Sequence, residues 1–358
     1  MDLHIIGMFF HIGKNFAVTP SAPDNKEPSV WQRTYNFLVF CFFTVGSCAS
    51  LYYKVPEYLE FNPIQLVLWV LTDVVRYTHN VYTLVVVMTL QREKWFKLVS
   101  LLKETAVGKS SPKSYYLTFI LAQTSFLILI TSMLYVCYVC YDLYTFLQFY
   151  FVEFLQFYSQ FFFASFCCVV AKMVRARYRH QKMLLSRVLN SSASPNATKT
   201  VQKKILLLKE TVNCFNDIFG GTILLNILFS SLKSIIYLDR IVKSQDVSAD
   251  HTSGFFVLLH LTQIGVIVIM WSVILHVVFS CDAILNDCGD ILQDLLRLNF
   301  AEVDLTCDKR DVQILIQLVS QNRPKFTASR FFSINRSTIF QVINSMITFL
   351  VVCVQFKS

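Results

Sequence analysis

The sequence predicts an all-α, polytopic membrane protein with seven transmembrane helices, a cytoplasmic N-terminus, an extracellular C-terminus and helical extensions in the cytoplasm. Apolar residues occupy 54% of the 358 positions and charged residues 15%, against roughly 45–50% and about 25% in soluble proteins. The mean hydropathy is +0.50. Seven stretches are mainly apolar over the roughly 20 residues that a helix needs to cross a bilayer core. We therefore expect lipid to surround much of the chain.

Each predicted span is bounded by segments that turn polar or carry proline. Four spans contain no Asp, Glu, Lys or Arg, and the other three contain one or two such residues. The spans are residues 34–53, 64–90, 114–141, 143–171, 218–238, 252–281 and 337–356. The segments that share a side of the membrane with the N-terminus are residues 1–33, 91–113, 172–217 and 282–336.

The basic residues indicate the orientation of these spans. Of the 32 Lys and Arg residues, 26 lie in the four segments on the side of the N-terminus, and four, including Lys54, lie on the other side. Because Lys and Arg are retained in the cytoplasm, the N-terminus is predicted inside. The net charge of +9 is then mainly an orientation signal, and we expect no nucleic acid partner.

Glycosylation would test this orientation. The sequence leaves open whether Asn190, Asn196 or Asn335 carries a glycan. The sequons at Asn190 and Asn196 fall in a loop that we place in the cytoplasm, where no glycan is added. Glycosylation of either residue in cells would overturn the predicted topology.

Motifs that carry catalysis are missing from the sequence. Cys137 and Cys140 form a CxxC pair, but zinc needs about four ligands and no second CxxC is present. The pair lies in an apolar helix, where packing explains it. No Gly-rich phosphate loop, H-E-x-x-H or G-x-S-x-G motif occurs. We therefore predict no metal, no cofactor and no enzymatic activity.

Charged residues inside the spans raise two interpretations. Asp73 and Arg76 are three residues apart and share a helix face, and Glu153 lies in the fourth span. These side chains either neutralise one another inside the bundle or border a wet cavity reached from outside, since an isolated charge in lipid is costly. Lys233 is six residues from Asp239 and is long enough to extend toward the membrane surface.

Several polar and aromatic residues in the outer halves of the spans are candidates for a ligand pocket. Such side chains combine an apolar body with a polar tip, as pockets for small molecules require. The alternative is ordinary packing with satisfied hydrogen bonds. The candidates are Trp69, Tyr135, Tyr138, Tyr158, His260 and Gln263.

Three cytoplasmic stretches have the apolar periodicity of helices that pack against other helices. These helices either join subunits in a cytoplasmic bundle or pack only within the chain. The seam of the first is Val201, Ile205, Leu208, Val212 and Phe215. The seam of the second is Ile284, Cys288, Ile291, Leu295 and Leu298. The third is Val312, Leu315, Ile316 and Val319.

The last span carries a largely polar stripe. Asn344, Thr348, Val352 and Gln355 are spaced by four, four and three residues and so lie on one helix face. Polar groups in lipid need partners or water, and several copies of such a helix around an axis would enclose water. Val352 and Phe356 would then form apolar constrictions beside the neutral dipoles of Gln355 and Thr348. The alternative is that Asn344 and Thr348 only bond neighbouring helices.

The same span resembles the insect gustatory receptors, which are related to the insect odorant receptors. Their signature is Thr-Tyr, five apolar residues and Gln-Phe, and this sequence has Thr348-Phe349, "LVVCV" and Gln355-Phe356. Phe349 departs from the signature because it keeps the ring and lacks the hydroxyl. The span layout, the long loop before the fifth span and the cytoplasmic helices are similar to the family over nearly the whole length.

The resemblance implies a ligand-gated, non-selective cation channel in the plasma membrane of chemosensory neurons. It implies a homo- or hetero-tetramer with other gustatory receptor subunits, a central pore lined by the last span, and a pocket for a small-molecule tastant in each subunit. By the match of motifs, Val352, Gln355 and Phe356 lie at the narrow part of the pore, and Thr348 lies deeper.

Two other classes of protein compete with this interpretation. A metabotropic seven-span receptor would signal through its basic inner loops, but G-protein-coupled receptors have an external N-terminus, and the Asp/Glu-Arg-Tyr and Asn-Pro-x-x-Tyr motifs are missing from the expected spans. A transporter would be expected to have internal repeats, and none is visible in the sequence.

Overall fold

The computed structural model describes residues 3–20, 29–106, 113–140, 143–190, 195–247, 254–300 and 309–355, and these residues fold into helices with one small hairpin. The helices are α1 (Leu3–Gly13), α2 (Val30–Leu59), α3 (Pro63–Val81), α4 (Arg92–Glu104), α5 (Lys113–Cys140), α6 (Leu143–Phe149), α7 (Phe151–Asn190), α8 (Pro195–Val247), α9 (Gly254–Phe300), α10 (Lys309–Gln321) and α11 (Arg336–Gln355). A 3-10 turn (Lys14–Phe16) follows α1, and a π-helix (Tyr82–Leu90) follows α3. The strands are β1 (Thr327–Ala328) and β2 (Phe332–Ser333).

Six of the described helices are long and apolar enough to cross a membrane. They are α2, α5, α7, α8, α9 and α11. The helices α7, α8 and α9 pack against one another, and α3 and α11 pack on α8. The all-helical prediction is confirmed, while the count of seven spans and the orientation of the termini stay predictions.

The predicted second span, residues 64–90, is divided between α3 and the π-helix. The amide of Gln91 donates to the carbonyl oxygen of Val86, five residues earlier, over 2.9 Å. A π-turn inserts an extra residue and occurs mostly as a short element at functional sites. The wider turn places Tyr82 against Gly221 of α8, where an added Cβ would collide with the Tyr82 hydroxyl. Glycine at 221 therefore makes room for Tyr82.

The predicted fourth span, residues 143–171, also differs from the structure. The short helix α6 ends at Phe149, and the crossing helix α7 begins at Phe151. The hydroxyl of Ser50 in α2 donates to the carbonyl oxygen of Phe149 over 2.7 Å. A contact from another helix therefore satisfies a carbonyl at the end of α6. This contact between distant segments is invisible to a hydropathy count.

Two helices lie in segments that sequence analysis left without helical structure. The helix α1 buries Ile5, Ile6, Phe9 and Phe10 within residues 1–33. In the 91–113 segment, α4 buries Trp95, whose ring stacks on Phe166 of α7 with centroids 5.5 Å apart. Both helices are shorter than a membrane span, so a search for 20-residue apolar windows does not find them.

The predicted seams of the cytoplasmic helices are buried inside this chain. Val201, Ile205, Leu208, Val212 and Phe215 of α8 are all at most 3% exposed, and so are Val312, Leu315 and Val319 of α10. On α9, Ile284, Cys288, Ile291 and Leu295 are buried, and the side chain of Leu298 lies outside the described residues. The seams therefore pack within the chain, and subunit contacts in this region would require other faces.

A hairpin formed by β1 and β2 docks on α8 through Asn216. The Asn216 Nδ2 donates to the carbonyl oxygen of Lys325 over 2.6 Å, and its Oδ1 accepts from the amide of Thr327 over 3.1 Å. Gly220 allows the close approach, because an added Cβ would lie 2.9 Å from backbone atoms of the hairpin. One amide side chain thus satisfies two backbone groups that precede α11.

We expect Asn216→Ala to lower the free energy of unfolding by about 1–3 kcal/mol, because it leaves these two backbone groups without their partner. Thermal unfolding of the purified protein would measure the effect. The matched control is Asn213→Ala on the same helix, since Asn213 is exposed and bonds Glu210 within α8 over 3.4 Å. Equal effects of the two substitutions would contradict the role of Asn216.

Candidate ligand cavity and exposed polar helix

A cavity of about 450 Å³ lies between α2, α3, α5, α7, α8 and α9, at the end of the bundle where α2 connects to α3. Its volume is within the range of about 300–1,000 Å³ that is typical of small-molecule sites. Because its lining includes the exposed residues Glu60 and Arg240, the cavity reaches the surface at this end. The apolar lining includes Phe61, Met133, Val136, Phe154, Phe157, Phe229, Val266 and Met270.

The floor of the cavity is a network of charges around Arg76. The Arg76 guanidinium donates to Asp73 Oδ1 over 2.8 Å, to Glu153 Oε2 over 2.8 Å and to Gln156 Oε1 over 3.3 Å. Lys54 donates to Glu153 from the other side. The two cations and two carboxylates neutralise one another, as buried charges must in a low-dielectric interior.

The structure shows the predicted ion pair beside a cavity, while access to that cavity from outside stays a prediction. Asp73 and Arg76 form the predicted ion pair, at 2.8 Å. Arg76 and Glu153 also line the cavity, whereas Asp73 lies behind them and is bonded by the Tyr58 hydroxyl over 2.5 Å. A network that is satisfied on one side and borders open space on the other is rigid, so it provides a fixed polar floor.

Sequence analysis missed the contribution of α2 to this network. Lys54 was counted among the loop residues on the outer side, and the structure buries it inside α2 with 3% exposure. Ser47, Ser50, Lys54 and Tyr58 are spaced by three, four and four residues and form a polar stripe. Ser47 accepts from Gln156 over 2.8 Å, and the single hydroxyl hydrogen of Ser50 is shared between Glu153, at 3.1 Å, and the Phe149 carbonyl oxygen, at 2.7 Å. This helical spacing was visible in the sequence and was the signal that could have found them.

The outer part of the cavity is aromatic and basic. Lys233 of α8 lies over the ring of Trp69, 4.8 Å from its centroid, and 5.2 Å from that of Tyr237. Arg240 also lies over Trp69, at 5.2 Å. Lys233 does not pair with Asp239, because Asp239 accepts instead from Lys243 over 2.7 Å and from Gln65 over 3.1 Å. Lys233 therefore lines the cavity and does not pair with Asp239.

Two of the six candidate pocket residues, Trp69 and Gln263, line the cavity. Tyr135 and Tyr138 are 56% and 76% exposed and lie outside it. Both tyrosines are on α5, whose cavity-facing residues are instead Met133, Val136 and Cys137. The exposed surface of α5 explains this difference, since hydropathy does not tell which face of an apolar helix is inward.

The other two candidates lie elsewhere. Tyr158 packs against Phe16, with ring centroids 4.9 Å apart, and donates to Gln123 Oε1 over 3.3 Å. His260 is half-buried on α9 and does not belong to the cavity lining. Tyr158 therefore fits the packing alternative, and a ligand contact by either residue stays a prediction.

Within the part of the chain that the structure describes, Gln263 is buried in the cavity wall without hydrogen-bond partners. Its side chain is 4% exposed, and neither its amide nitrogen nor its amide oxygen has a hydrogen-bond partner among the described residues. An unsatisfied buried amide costs about 1–3 kcal/mol per polar group. Because Gln263 lines the cavity, a ligand there would supply the missing bonds.

The polar stripe on α11 is exposed along its whole described length. Asn344, Thr348, Val352 and Gln355 all face away from the rest of the chain, with Val352 at 37% exposure. The opposite face packs against the core, where Ile339 and Cys353 are buried. Thr348 bonds the Asn344 carbonyl oxygen within the helix, over 3.0 Å. Within the described part of this chain the stripe is not turned toward a neighbouring helix, and its role in lining a pore stays a prediction.

The residues around the resemblance motif are only partly described. Phe349 is 42% exposed on the flank of the stripe, and Phe356 lies outside the described residues. The role of Phe356 as a constriction stays a prediction.

The model of the family described as "7tm Chemosensory receptor" matches residues 6–358. The chain belongs to this chemosensory receptor family. Comparison with curated protein sequences finds no match.

Solved structures of an insect olfactory receptor share the fold of this receptor. They are structures of OR5 from Machilis hrabei, with and without eugenol, at TM-scores of 0.62 and 0.63. Each comparison covers 99% of this chain and 97% of the other at 13% identity. The receptor is thus a multi-pass membrane protein of the insect odorant and gustatory type, and the predicted resemblance is confirmed at this level.

Proposed function

We propose that this receptor is gustatory and forms a tastant-gated, non-selective cation channel in the plasma membrane of chemosensory neurons. Its N-terminus is cytoplasmic, and the cavity opens to the outside. The observation that carries the proposal is the exposed polar stripe of α11, opposite a face that packs on the core. If this stripe faced lipid, the side-chain amides of Asn344 and Gln355 would lie in hydrocarbon, while Thr348 is bonded within the helix. Four copies facing a common axis would surround a water-filled pore.

The cavity supports ligand control of that pore. It reaches the surface at one end and closes on a charged network at the other. It shares α8 with the pore helix, because Phe229, Lys233 and Tyr237 line the cavity and α11 packs on α8. If a ligand binds more tightly to one packing arrangement of α8, it shifts the population toward that arrangement. Because α11 packs on α8, the position of α11 would shift with it.

Current through the purified receptor reconstituted in lipid vesicles is the direct test. We expect a tastant panel to evoke cation current without any other protein, or with a partner subunit if the channel is heteromeric. A response seen only in cells and only with a G protein, together with an external N-terminal tag, would favour the metabotropic alternative and contradict the channel.

We expect Val352→Thr to raise the current without ligand several-fold, because it replaces a methyl group by a hydroxyl of nearly equal size at an apolar constriction that closes by dewetting. The control is Ile347→Thr, because Ile347 is 51% exposed on the flank of α11, and it should not raise this current. Equal leak in both variants, or none in Val352→Thr, would argue against Val352 as the constriction. Single-channel recording without ligand would measure it.

A further inference from the structure

We propose that the cavity binds a small molecule with an apolar body and one anionic group, such as a carboxylate, and that Lys233 and Gln263 bind that group. The inference rests on the proposed function, because it names the class of ligand. It follows from the balance of charges and of hydrogen bonds inside the cavity.

The first argument is a positive charge without a counter-charge. In the buried floor, Lys54 and Arg76 are matched by Asp73 and Glu153. Lys233 forms no ion pair within 4 Å among the described residues, and the carboxylates that attract it, Glu153 and Asp73, are already matched by Lys54 and Arg76. Its neighbours are the faces of Trp69 and Tyr237, which attract a cation without neutralising it. The interior of the cavity therefore carries a surplus of one positive charge.

The acidic residues at the rim do not cancel this surplus. Glu60 is exposed and Glu57 is half-buried where α2 meets α3. Carboxylates near the surface are hydrated and screened by salt, so they interact weakly with a charge deeper in the protein. Arg240, which is also exposed, lies over the ring of Trp69, 5.2 Å from its centroid, and offsets the charge of one of these rim acids. A ligand that passes the rim therefore meets a basic interior.

The second argument is the amide of Gln263 on α9. Its two polar atoms are buried and have no partner in the described structure, and the two hydrogens on its Nε2 are donors of the kind that bond a carboxylate oxygen. Lys233 reaches the same cavity from α8. An anion placed between the two helices would neutralise the ammonium and accept a hydrogen bond from Nε2 of Gln263, and both contacts would be charge-assisted, which is the stronger kind.

The remaining lining selects the body of the ligand. Phe154, Phe157, Phe229 and Met270 are apolar and pack around the inner part of the cavity. Burial of an apolar group against such side chains contributes in proportion to its area. A wholly polar ligand would gain no free energy from burial against these apolar side chains. Small aliphatic or aromatic acids combine both requirements.

Matched series of ligands would test the proposal by direct binding to the purified full-length receptor in lipid nanodiscs. The probes are hexanoate, 3-phenylpropionate and indole-3-acetate, each with the corresponding alcohol and amine. Dissociation constants would come from titration of the thermal stability of the receptor. We expect at least one acid to bind about tenfold or more tightly than its alcohol and its amine.

Substitutions then assign the preference to residues. Lys233→Met should abolish the preference for the acid and leave the affinity for the alcohol within about twofold. Gln263→Leu should lower the affinity for the acid several-fold. Lys233→Arg retains the charge and should retain the preference, which guards against loss of folding in Lys233→Met. The control is Lys243→Met, since Lys243 is on the same helix, pairs with Asp239 and does not line the cavity.

The outcomes separate this inference from the proposed function. Binding that favours no acid in any series, or that favours the amine, would overturn the inference, and so would an acid preference that persists in Lys233→Met. Acid-selective binding without any current in reconstituted vesicles would leave the inference standing and contradict the channel. Current evoked only by neutral or cationic ligands would support the channel and contradict the inference.

Discussion

Arg76→Met is expected to destabilise the receptor by about 3–5 kcal/mol, because it leaves two buried carboxylates without their shared cation. Arg76 bonds both Asp73 and Glu153 at 2.8 Å, and its side chain is 6% exposed. Lys54 would remain as the one cation beside both acids. The measurement is the thermal unfolding of detergent-purified receptor, together with the fraction of the protein that reaches the cell surface.

Two controls make this prediction specific. Lys203→Met removes a cation that pairs with Glu104 at 2.9 Å, but the two side chains are 71% and 46% exposed, so the loss should be about 0–1 kcal/mol. The double variant Arg76→Met with Asp73→Asn restores the balance between Lys54 and Glu153, and it should recover part of the lost stability. Equal stability of the single and double variants would contradict the charge-balance explanation.

Gln355→Lys is expected to lower cation current by about tenfold or more at unchanged expression. A lysine from each subunit would place a ring of positive charges at the narrow part of the proposed pore, and rings of basic residues oppose cations. Gln355→Glu should have the opposite effect and raise the cation selectivity. Reversal potentials in solutions of unequal salt would measure both changes.

The matched control for the ring is Ile347→Lys. Ile347 is also exposed on α11, and it lies on the flank of the helix and not on the polar stripe. A loss of current in this variant equal to that in Gln355→Lys would show that any charge on the exposed part of α11 is harmful, and it would remove the special role of Gln355.

The fold could be predicted from the sequence where a single helix determines the pattern. The apolar runs that became α2, α5, α9 and α11 contain no Asp, Glu, Lys or Arg within the predicted spans, so hydropathy was sufficient for them. The seams of α8 and α10 were predicted from spacing and are buried. The break at Tyr150 and the π-turn at Gln91 were missed, because contacts from other helices accompany them.

The candidate site divides in the same way. Trp69 and Gln263 could be predicted because a side chain with a polar tip in an apolar run is recognisable from the sequence alone. Tyr135 and Tyr138 met the same criterion and lie outside the cavity, because periodicity does not indicate which face of α5 is inward. Sequence analysis places Lys54 in a loop because the apolar run ends at residue 53, whereas α2 continues to Leu59.

The sequence alone determined that this is a helical membrane protein, where most of its helices run, that Asp73 can pair with Arg76, and that α11 carries a polar stripe. Each of these depends on residues a few positions apart on one helix. Only the tertiary structure decided that Glu153 and Lys54 complete the buried network, that Lys233 faces the cavity and not Asp239, and that the stripe is exposed. These depend on how helices from distant parts of the chain pack together, because packing sets which partner neutralises each buried charge.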